Sequence, residues 1–394
     1  MKHLLVIGDG MADLPLAALE GRTPLTAARM PNADRLAAEG RLGRASFIPE
    51  GMDPGSDLGI LSILGYDVAA PDSVPARAVL EAAGRGITLG PGETVLRVNF
   101  CTVADGALLD ASAGGVRREE AEALSEALNE GLQEPELRFI PGVGYRALAI
   151  LAAGDLSPVR CQPPSGVLGR PLSASWPSGA GAERLRAVME RAQAVLEVHE
   201  VNAVRRDLGE SPANFAWLWA PGVPMALRPF GPRAALVAGV DLPKGIARLA
   251  GMTVLEVSGA TGDAETDLAG KAAAALKSLE THDLAVVHVE APDEASHAGD
   301  PQGKVKVLER LDAELLGPLL AAAEKNGWRM ALVTDHVSGT EARAHLPGAV
   351  PVALWGPGFA PVREGLAYDE ASAERADLHF EAGHEMMEYF LKRR

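Results

Sequence analysis

The chain has 394 residues, of which 47% are hydrophobic, so its length favours two domains with ample material for buried cores. Its 37 Lys and Arg residues stand against 53 Asp and Glu residues, and the net charge of −16 argues against a nucleic acid as partner. Only two cysteines occur, Cys101 and Cys161, which excludes a disulfide scaffold and favours a reducing, cytoplasmic location.

The sequence also argues against a membrane partner. The apolar run before Asp9 is about five residues long, which is too short for the core of a signal peptide. No stretch reaches the roughly 20 apolar residues that a membrane helix needs. We therefore expect a soluble intracellular protein, and a homo-oligomer is compatible with the sequence.

Three short apolar runs are each followed by residues that can bind a cation. The runs cover 3–8, 284–289 and 331–334, and the residues that follow them are Asp9, Asp293, His297, Asp335 and His336. Such runs are typical of strands buried on both faces. Ligands of open α/β sheets bind beyond the carboxyl ends of the strands, so the pattern predicts one shared metal site.

The elements in chain order indicate an insertion into an α/β domain. Strand and helix patterns alternate up to about residue 90 and again from about residue 232, and they predict an α/β fold with a parallel sheet sandwiched by helices. The middle differs in texture: it reads as strands at 94–102 and 145–152, helices at 117–132 and 184–208, and a Pro-, Gly- and Ser-rich loop at 154–182. We therefore predict a metal-binding domain of residues 1–90 and 232–394 and a smaller inserted α+β domain of residues 91–231.

Ser56 stands at the predicted start of a helix, directly after Pro54 and Gly55. One interpretation is that Ser56 or Asp57 is the N-cap, a position at which both Ser and Asp are favoured. The other is a nucleophile, because a helix N-terminus stabilises an incoming phosphate and a developing alkoxide. The segment alone favours the cap, and one serine can serve both purposes.

The spacing of the acids and imidazoles favours two cations. Asp293 and His297 are four residues apart and share one face of a helix, whereas the adjacent Asp335 and His336 point in different directions. His345 precedes a further strand pattern at 349–355. Mixed oxygen and nitrogen donors suit Mn²⁺ or Zn²⁺ better than Ca²⁺, and Mg²⁺ is a further candidate. Paired cations of this kind clamp the attacking and leaving oxygens in phosphoryl transfer.

Motifs along the whole chain resemble the archaeal-type cofactor-independent phosphoglycerate mutases of the alkaline phosphatase superfamily. They are Gly-Asp-Gly-Met-Ala-Asp at 8–13, Arg-Thr-Pro-Leu at 22–25, Pro-Asn-Ala-Asp at 31–34, Pro-Gly-Ser-Asp at 54–57, Leu-Gly-Tyr-Asp at 64–67, Gly-Ala-Thr-Gly at 259–262, Asp293 with His297, and Thr-Asp-His at 334–336. The resemblance implies an alkaline-phosphatase-like fold. It also implies interconversion of 3-phosphoglycerate and 2-phosphoglycerate, a small phosphorylated substrate.

The resemblance further implies a role for individual residues. One metal would be held by Asp293, His297 and His345, and the second by Asp9, Ser56, Asp335 and His336. Ser56 would be phosphorylated transiently. Arg97, Asn99 and Lys271 fall where contacts to the substrate's carboxylate and phosphate are expected.

The predicted insert departs from the family pattern. Asp-Ala-Ser-Ala-Gly-Gly at 110–115 stands where relatives carry Asp-Arg-x-Ala-Gly-Arg, and the segments at 160–164 and 219–222 also differ. Each lost charge-assisted contact to an anion is worth about 1.5–3 kcal/mol. A phosphatase or phosphotransferase acting on another small substrate is therefore an alternative, and a non-catalytic metal-binding protein is a third. The remaining histidines read as structural or surface residues; they include His199, His282, His288, His379 and His384.

Overall fold

The computed structural model describes residues 1–71, 73–132, 136–152, 156, 158–362 and 365–392. Contacts divide the chain into two compact units. The first unit comprises residues 1–74, 83–85 and 227–394, and the second comprises residues 75–82 and 86–226. The second unit therefore begins and ends earlier along the chain than the predicted insert of residues 91–231.

The first unit is built on an eight-stranded sheet with the order β15-β2-β14-β11-β1-β10-β8-β9. Its strands are β1 (His3–Gly8), β2 (Arg41–Ala45), β8 (Ala234–Val237), β9 (Thr253–Leu255), β10 (Leu284–Val289), β11 (Arg329–Val333), β14 (Val350–Trp355) and β15 (Leu378–Phe380). A separate two-stranded sheet pairs β12 (Val337–Gly339) with β13 (Ala344–Leu346).

The centre of the large sheet is parallel, as the sequence predicts. β1 pairs in parallel with β10 on one side and with β11 on the other, and β10, β8 and β9 continue the parallel order. One strand differs from the expectation of a parallel sheet, because β14 runs antiparallel to both β11 and β2. The apolar run at 349–355 predicts a buried strand but carries no information on its direction.

Both faces of the central strands are covered. Leu4 and Val6 point to one face of β1 and Leu5 and Ile7 to the other, and all four side chains are fully buried. The face with Leu4 packs on a core that includes residues of β10, β11 and β14 and of several helices. Continuous burial explains why these strands read as unbroken apolar runs.

The helices of the first unit follow the strands in βα order. They are α1 (Pro24–Ala27), α2 (Pro31–Glu39), α3 (Ser56–Ile63), α8 (Asp241–Leu249), α9 (Leu268–Ser278), α10 (Ala291–Ala298), α11 (Pro301–Arg310), α12 (Gly317–Asn326), α13 (Glu370–Arg375) and α14 (Glu385–Leu391). A π-helical segment, Leu311–Leu316, separates α11 from α12 where the sequence predicts one helix at 305–325. In this segment the Asp312 carboxylate accepts hydrogen bonds from the amides of Asn32 and Ala33, at the start of α2.

The second unit contains a five-stranded antiparallel sheet packed with helices. Its strands are β3 (Thr94–Ala104), β4 (Ala107–Asp110), β5 (Leu137–Pro141), β6 (Arg146–Leu151) and β7 (Phe215–Gly222), and its helices are α5 (Arg118–Gly131), α6 (Ala182–Glu197) and α7 (Glu200–Asp207). β3 is central, with β6 and β7 on its two sides. The helix α4 (Arg77–Gly84) crosses the division between the units along the chain.

The single helix predicted at 184–208 is wrong in one respect, since it is interrupted at Val198 and His199. His199 has an extended backbone, and its side chain accepts a hydrogen bond from the Val201 amide, so it is the N-cap of α7. The apolar spacing continues across the break, which is why the pattern reads as one helix. The prediction that His199 has a structural role agrees with this position.

Within the described ranges, none of the helices combines the length and the apolar character needed to span a membrane.

Candidate metal centre

Three neighbouring strands of the large sheet deliver acidic residues to the same edge. Asp9 directly follows β1, Asp335 lies two residues after β11, and Asp293 lies in α10, which follows β10. Because β11, β1 and β10 are adjacent and parallel, their carboxyl ends lie side by side. The juxtaposition expected from the three apolar runs is thus present in the first unit.

Two glycines permit the close approach of the backbone at this edge. Gly10 has φ of +59°, and a Cβ there would lie 2.7 Å from both Asp293 Oδ1 and Ser338 Oγ. At Gly59, on α3, a Cβ would lie 2.8 Å from the Cβ and carbonyl oxygen of Asp335. A side chain at either position would therefore push a cluster residue out of place.

The first cluster consists of Asp293, His297 and His345, whose donor atoms all lie within 4.8 Å of one another. His297 Nε2 is 3.3 Å from Asp293 Oδ2, and His345 Nε2 is 3.4 Å from Asp293 Oδ1. The two Nε2 atoms are 2.9 Å apart. Two nitrogen lone pairs at that separation repel each other unless a proton or a cation lies between them.

Backbone carbonyls orient both imidazoles of the first cluster. His297 Nδ1 donates to the Arg343 carbonyl at 3.1 Å, and His345 Nδ1 donates to the Pro54 carbonyl at 3.2 Å. With the Nδ1 proton fixed in this way, each Nε2 can take up a proton or a cation beside the Asp293 carboxylate. Metal-binding histidines are held by the same kind of outer hydrogen bond.

Protons and a cation compete for the first cluster. Hydrogen bonding to Asp293 raises the pKa of His297. Burial lowers the pKa of His345, but the Asp293 carboxylate outweighs burial and the pKa is raised. For Asp293 itself, burial opposes ionisation, yet the two histidines hold its pKa below the usual range. The cluster therefore binds positive charge in one form or another.

The second cluster consists of Asp9, Asp335 and His336, again with donor atoms within 4.8 Å of one another and all three side chains buried. His336 Nε2 is 3.3 Å from Asp9 Oδ1 and 3.4 Å from Asp335 Oδ2. The clusters adjoin, because the rings of His336 and His345 stack with centroids 4.0 Å apart.

The second cluster contains an orphaned acceptor that fits a cation. Asp335 Oδ1 accepts hydrogen bonds from the amides of Gly10 and His336, but the buried Oδ2 has no hydrogen-bond partner among the described residues. Burial raises the pKa of Asp335 to about 7, and burial with the neighbouring Asp335 raises the pKa of Asp9 well above its usual value. Burial lowers the pKa of His336 to about 3, so its imidazole stays neutral and able to act as a donor. Two buried acids and a neutral imidazole suit a divalent cation.

The side chain of Ser56 contacts two residues of the second cluster and does not cap its helix. The N-cap of α3 is Gly55, and Ser56 is the first helical residue. Ser56 Oγ lies 3.2 Å from His336 Nε2 and 3.5 Å from Asp9 Oδ1. The interpretation of Ser56 as the N-cap is therefore wrong, because Gly55 holds that position, and its role as a nucleophile stays a prediction.

Lys271, the predicted substrate contact of the first unit, is fully buried on α9. Its Nζ donates to the carbonyls of Thr261 and His288 at 3.3 Å each. Burial lowers its pKa to about 8. The contact with His288 ties it to the strand β10, whose carboxyl end carries the site.

Arg97 and Asn99, the other two predicted substrate contacts, lie on β3 in the second unit. The Arg97 guanidinium stacks 4.2 Å above the Trp219 ring, and its Nε is 3.2 Å from Glu81 Oε2. Asn99 accepts a hydrogen bond from Trp219 Nε1 at 3.0 Å and donates one to the Ala111 carbonyl at 3.1 Å. Both side chains are thus held by neighbours in their own unit.

Sequence reasoning missed three polar residues that contact the clusters. His288 Nε2 is 3.0 Å from Asp9 Oδ2, Glu290 joins these two in a third group of closely spaced donors, and Ser338 Oγ donates to Asp293 Oδ1. His288 carries a weak sequence signal, since it interrupts an apolar strand, but its register with Ile7, two residues before Asp9, is seen only in the structure. For Ser338 the sequence holds no such signal.

Comparisons with known proteins identify close relatives over the full length. A family model described as 2,3-bisphosphoglycerate-independent phosphoglycerate mutase matches residues 37–202. The chain is 43% identical to the 2,3-bisphosphoglycerate-independent phosphoglycerate mutase of Methanothrix thermoacetophila, with 98% of each chain covered. It is 40% identical to a second such mutase, from Methanothermobacter thermautotrophicus, covering 99% of this chain and 97% of the relative.

Solved structures resemble the whole chain as well. A protein from Pyrococcus horikoshii matches with a TM-score of 0.81 and 28% identity, covering 99% of this chain and 96% of the other. The cofactor-independent phosphoglycerate mutase from Thermoplasma acidophilum matches with a TM-score of 0.66 and 27% identity over 99% of each chain. The chain is 43% and 40% identical to the two mutases over 98% and 99% of its length, and its fold matches the solved structures. It therefore belongs to the 2,3-bisphosphoglycerate-independent phosphoglycerate mutase family.

Proposed function

We propose that the protein interconverts 3-phosphoglycerate and 2-phosphoglycerate and that the phosphoryl group passes through Ser56. The observation that carries the proposal is the position of Ser56 Oγ, within 3.5 Å of Asp9 and His336 in the second cluster. Its place at the start of α3 adds the amides of a helix N-terminus, which favour a bound phosphate. The mutase names of the full-length relatives support the choice of substrate.

Two divalent cations, Mn²⁺ or Zn²⁺ with Mg²⁺ as a further candidate, fit the donor set. Asp293, His297 and His345 would hold one, and Asp9, Ser56, Asp335 and His336 the other. Bound cations supply positive charge that favours an ionised Ser56 hydroxyl and the negative oxygens of the phosphoryl group.

The chemistry of the chain's own residues is a double displacement. The Ser56 Oγ–P bond forms as the bond between phosphorus and the glycerate oxygen breaks, and the serine proton ends on that glycerate oxygen. The glycerate then turns, and its other hydroxyl attacks phosphoserine 56, which returns the proton to Ser56. Asp9 and His336 hold the hydroxyl in place, and its burial excludes water that would otherwise release phosphate.

Cationic side chains for the anionic substrate are present in each unit. In the first unit, Lys271 offers an ammonium with a third donor beyond the two carbonyls it contacts. In the second, Arg97 and Arg77 share the single carboxylate of Glu81, at 3.2 and 3.6 Å, which leaves excess positive charge. We propose these groups, with Asn99, as contacts to the phosphate and carboxylate of phosphoglycerate.

A phosphatase or phosphotransferase acting on another small substrate is the second candidate. It is favoured by the turn at 110–115, where Asp110 accepts hydrogen bonds from the amides of Ser112 and Gly114 and no arginine is present. A non-catalytic role is disfavoured by the nucleophile-like setting of Ser56. We also place the protein in the cytoplasm, which the free thiols of Cys101 and Cys161 support.

An enolase-coupled assay with the full chain, Mn²⁺ and 3-phosphoglycerate separates these functions. We expect steady formation of phosphoenolpyruvate without release of inorganic phosphate. Phosphate release from an aryl phosphate with no mutase turnover would replace the proposal with the phosphatase candidate. Silence in both assays, with the cations bound, would leave only the non-catalytic interpretation.

Cation binding should weaken in acid. The pKa of Asp335, raised to about 7 in the cation-free protein, means that a bound cation must displace a proton below that pH. His336 contributes nothing over this range, because its lowered pKa keeps it neutral. We therefore expect the Mn²⁺ affinity of the second cluster to fall by at least about tenfold per pH unit below pH 7. Titration calorimetry at pH 6 in two buffers of different ionisation enthalpy should record at least about one released proton per chain; equal heats in both buffers would contradict this.

A further inference from the structure

The two oxygens of the Asp9 carboxylate have different neighbours. Oδ1 faces Ser56 Oγ at 3.5 Å and His336 Nε2 at 3.3 Å, whereas Oδ2 faces His288 Nε2 at 3.0 Å. We propose that His288 is a positioning residue, whose hydrogen bond to Oδ2 aims Oδ1 at the second cluster and so sets the affinity of that cluster for its cation. The inference rests on the proposed function in assuming that a cation binds there.

The contact assigns the proton of the imidazole. Oδ2 accepts when Asp9 is ionised and also when Asp9 carries its proton on Oδ1, beside the neutral His336, so Nε2–H donates to Asp9 Oδ2 across 3.0 Å. The other nitrogen, Nδ1, is buried and has no hydrogen-bond partner among the described residues. A proton on Nδ1 would be left unpaired in a fully buried side chain, which is costly.

The backbone of His288 lies within a strand, whereas the backbone of Asp9 lies just beyond the end of one. His288 lies within β10, in register with Ile7 of β1, and its carbonyl accepts a hydrogen bond from Lys271 Nζ. Asp9 lies one residue beyond the end of β1, and its amide donates to the Val289 carbonyl at 2.9 Å. The hydrogen bond therefore transfers the rigidity of the strand to a side chain at the sheet edge.

The same atoms could be read as a third cation site, because Asp9, His288 and Glu290 offer donors within 4.8 Å of one another. His288 Nε2 lies 3.0 Å from Asp9 Oδ2 and 3.9 Å from Glu290 Oε2. Nε2 cannot donate a proton to Asp9 and bind a cation at once. The short contact to Asp9 favours the hydrogen bond, and so does Nδ1, which lacks a partner within the described ranges. A third cation is an outcome that the experiment can detect.

Imidazole nitrogen NMR on the full-length, histidine-labelled protein tests the proposal, with Zn²⁺ as the probe at free concentrations set by a chelator. His336 reports on the second cluster and His345 on the first. For His288→Met, which lacks the donor, we expect half-saturation at His336 to need about 10- to 100-fold more free Zn²⁺, with no change at His345. His288→Gln, whose amide can donate from a similar distance, should recover much of the loss.

Two control variants show whether an effect is specific. His3→Met removes another buried histidine, at the start of β1, and should leave both clusters unchanged. Ser338→Ala removes the hydroxyl that donates to Asp293 and makes a longer contact, 3.5 Å, to His336 Nδ1. It should weaken Zn²⁺ binding at His345 more than at His336. Unchanged Zn²⁺ binding in His288→Met, or no recovery in His288→Gln, would overturn the proposal.

The tautomer of wild-type His288 tests it without any variant, so loss of folding cannot obscure the answer. The cation-free protein should show a proton on Nε2 and a bare Nδ1. A proton on Nδ1, or a His288 signal that shifts as a third equivalent of Zn²⁺ binds, would replace the hydrogen bond with a cation site. If the signals of His336 and His345 in the wild type do not change with Zn²⁺, the pair of cations in the proposed function is contradicted. The tautomer of His288 still shows whether its hydrogen bond to Asp9 is present.

Discussion

Replacing Ser56 with alanine should abolish mutase turnover and leave the fold intact. The hydroxyl is the group we propose to carry the phosphoryl, and loss of a covalent nucleophile typically lowers turnover by about 10³-fold or more. Its contacts to His336 and Asp9, at 3.2 and 3.5 Å, are long, so the loss of stability should stay below about 1 kcal/mol. The enolase-coupled assay at saturating Mn²⁺ and a thermal melt measure the two quantities.

Ser62→Ala is the matched control for this variant. Ser62 is a second buried serine on the same helix, α3, near the opposite end from Ser56. We expect it to keep turnover within a factor of about three of the wild type. Wild-type turnover in Ser56→Ala would remove Ser56 from the mechanism, whatever the control gives.

Replacing Asp335 with asparagine should weaken cation binding at the second cluster and leave the fold intact. The amide oxygen can still accept from Gly10 and His336. The charged Oδ2, for which the described part of the chain offers no hydrogen-bond partner, is replaced by an uncharged group. We expect Mn²⁺ affinity at this cluster to fall by at least about 100-fold and turnover at limiting Mn²⁺ to fall in proportion. Metal content per chain and the coupled assay give the two values.

The cation-free form of Asp335→Asn provides a sign that a general structural defect would not give. The pKa of Asp335 is raised to about 7 in the folded state. As the pH rises above the pKa of the unfolded state, ionisation of Asp335 lowers the free energy of unfolding, and above about pH 7 the whole of this loss is present. At pH 8 the cation-free variant should therefore melt no lower than the cation-free wild type. Asp369→Asn, which keeps an N-cap at α13, should bind both cations normally. A much lower melting temperature for cation-free Asp335→Asn would argue against this account.

The strands that position the site could be predicted from the sequence because they are buried on both faces. Runs such as His3–Gly8 and Leu284–Val289 leave no alternation to misread, and strands of this kind end at the edge where ligands bind. Asp9, Asp293 and Asp335 follow from that rule alone. Their convergence requires only that the three strands be neighbours.

Contacts between distant segments could not be predicted in the same way. The π-helical segment at 311–316 places Asp312 at the start of α2, about 280 residues earlier in the chain, and no local pattern encodes that partner. The composition of β14 does not predict that the strand runs antiparallel to its neighbours either. A lone histidine in an apolar strand usually has a structural role, and the sequence predicts that role for His288. Only the register of β10 with β1 brings its side chain to Asp9.

In the second unit the sequence predicted elements better than roles. The strands at 94–104 and 146–151 lie where the patterns place them, but the resemblance that singles out Arg97 and Asn99 does not reveal Trp219 and Glu81, which hold them. β7 brings Trp219 to β3 from more than 100 residues away along the chain. The role of Arg97 and Asn99 in substrate binding stays a prediction.

Mass spectrometry of the Mn²⁺-loaded protein, quenched during turnover of 3-phosphoglycerate, tests the central claim most directly. We predict one phosphate on the peptide that contains Ser56, and its absence from the same peptide of Ser56→Ala. Sustained conversion to 2-phosphoglycerate with phosphate on a different residue, or on none, would contradict the account.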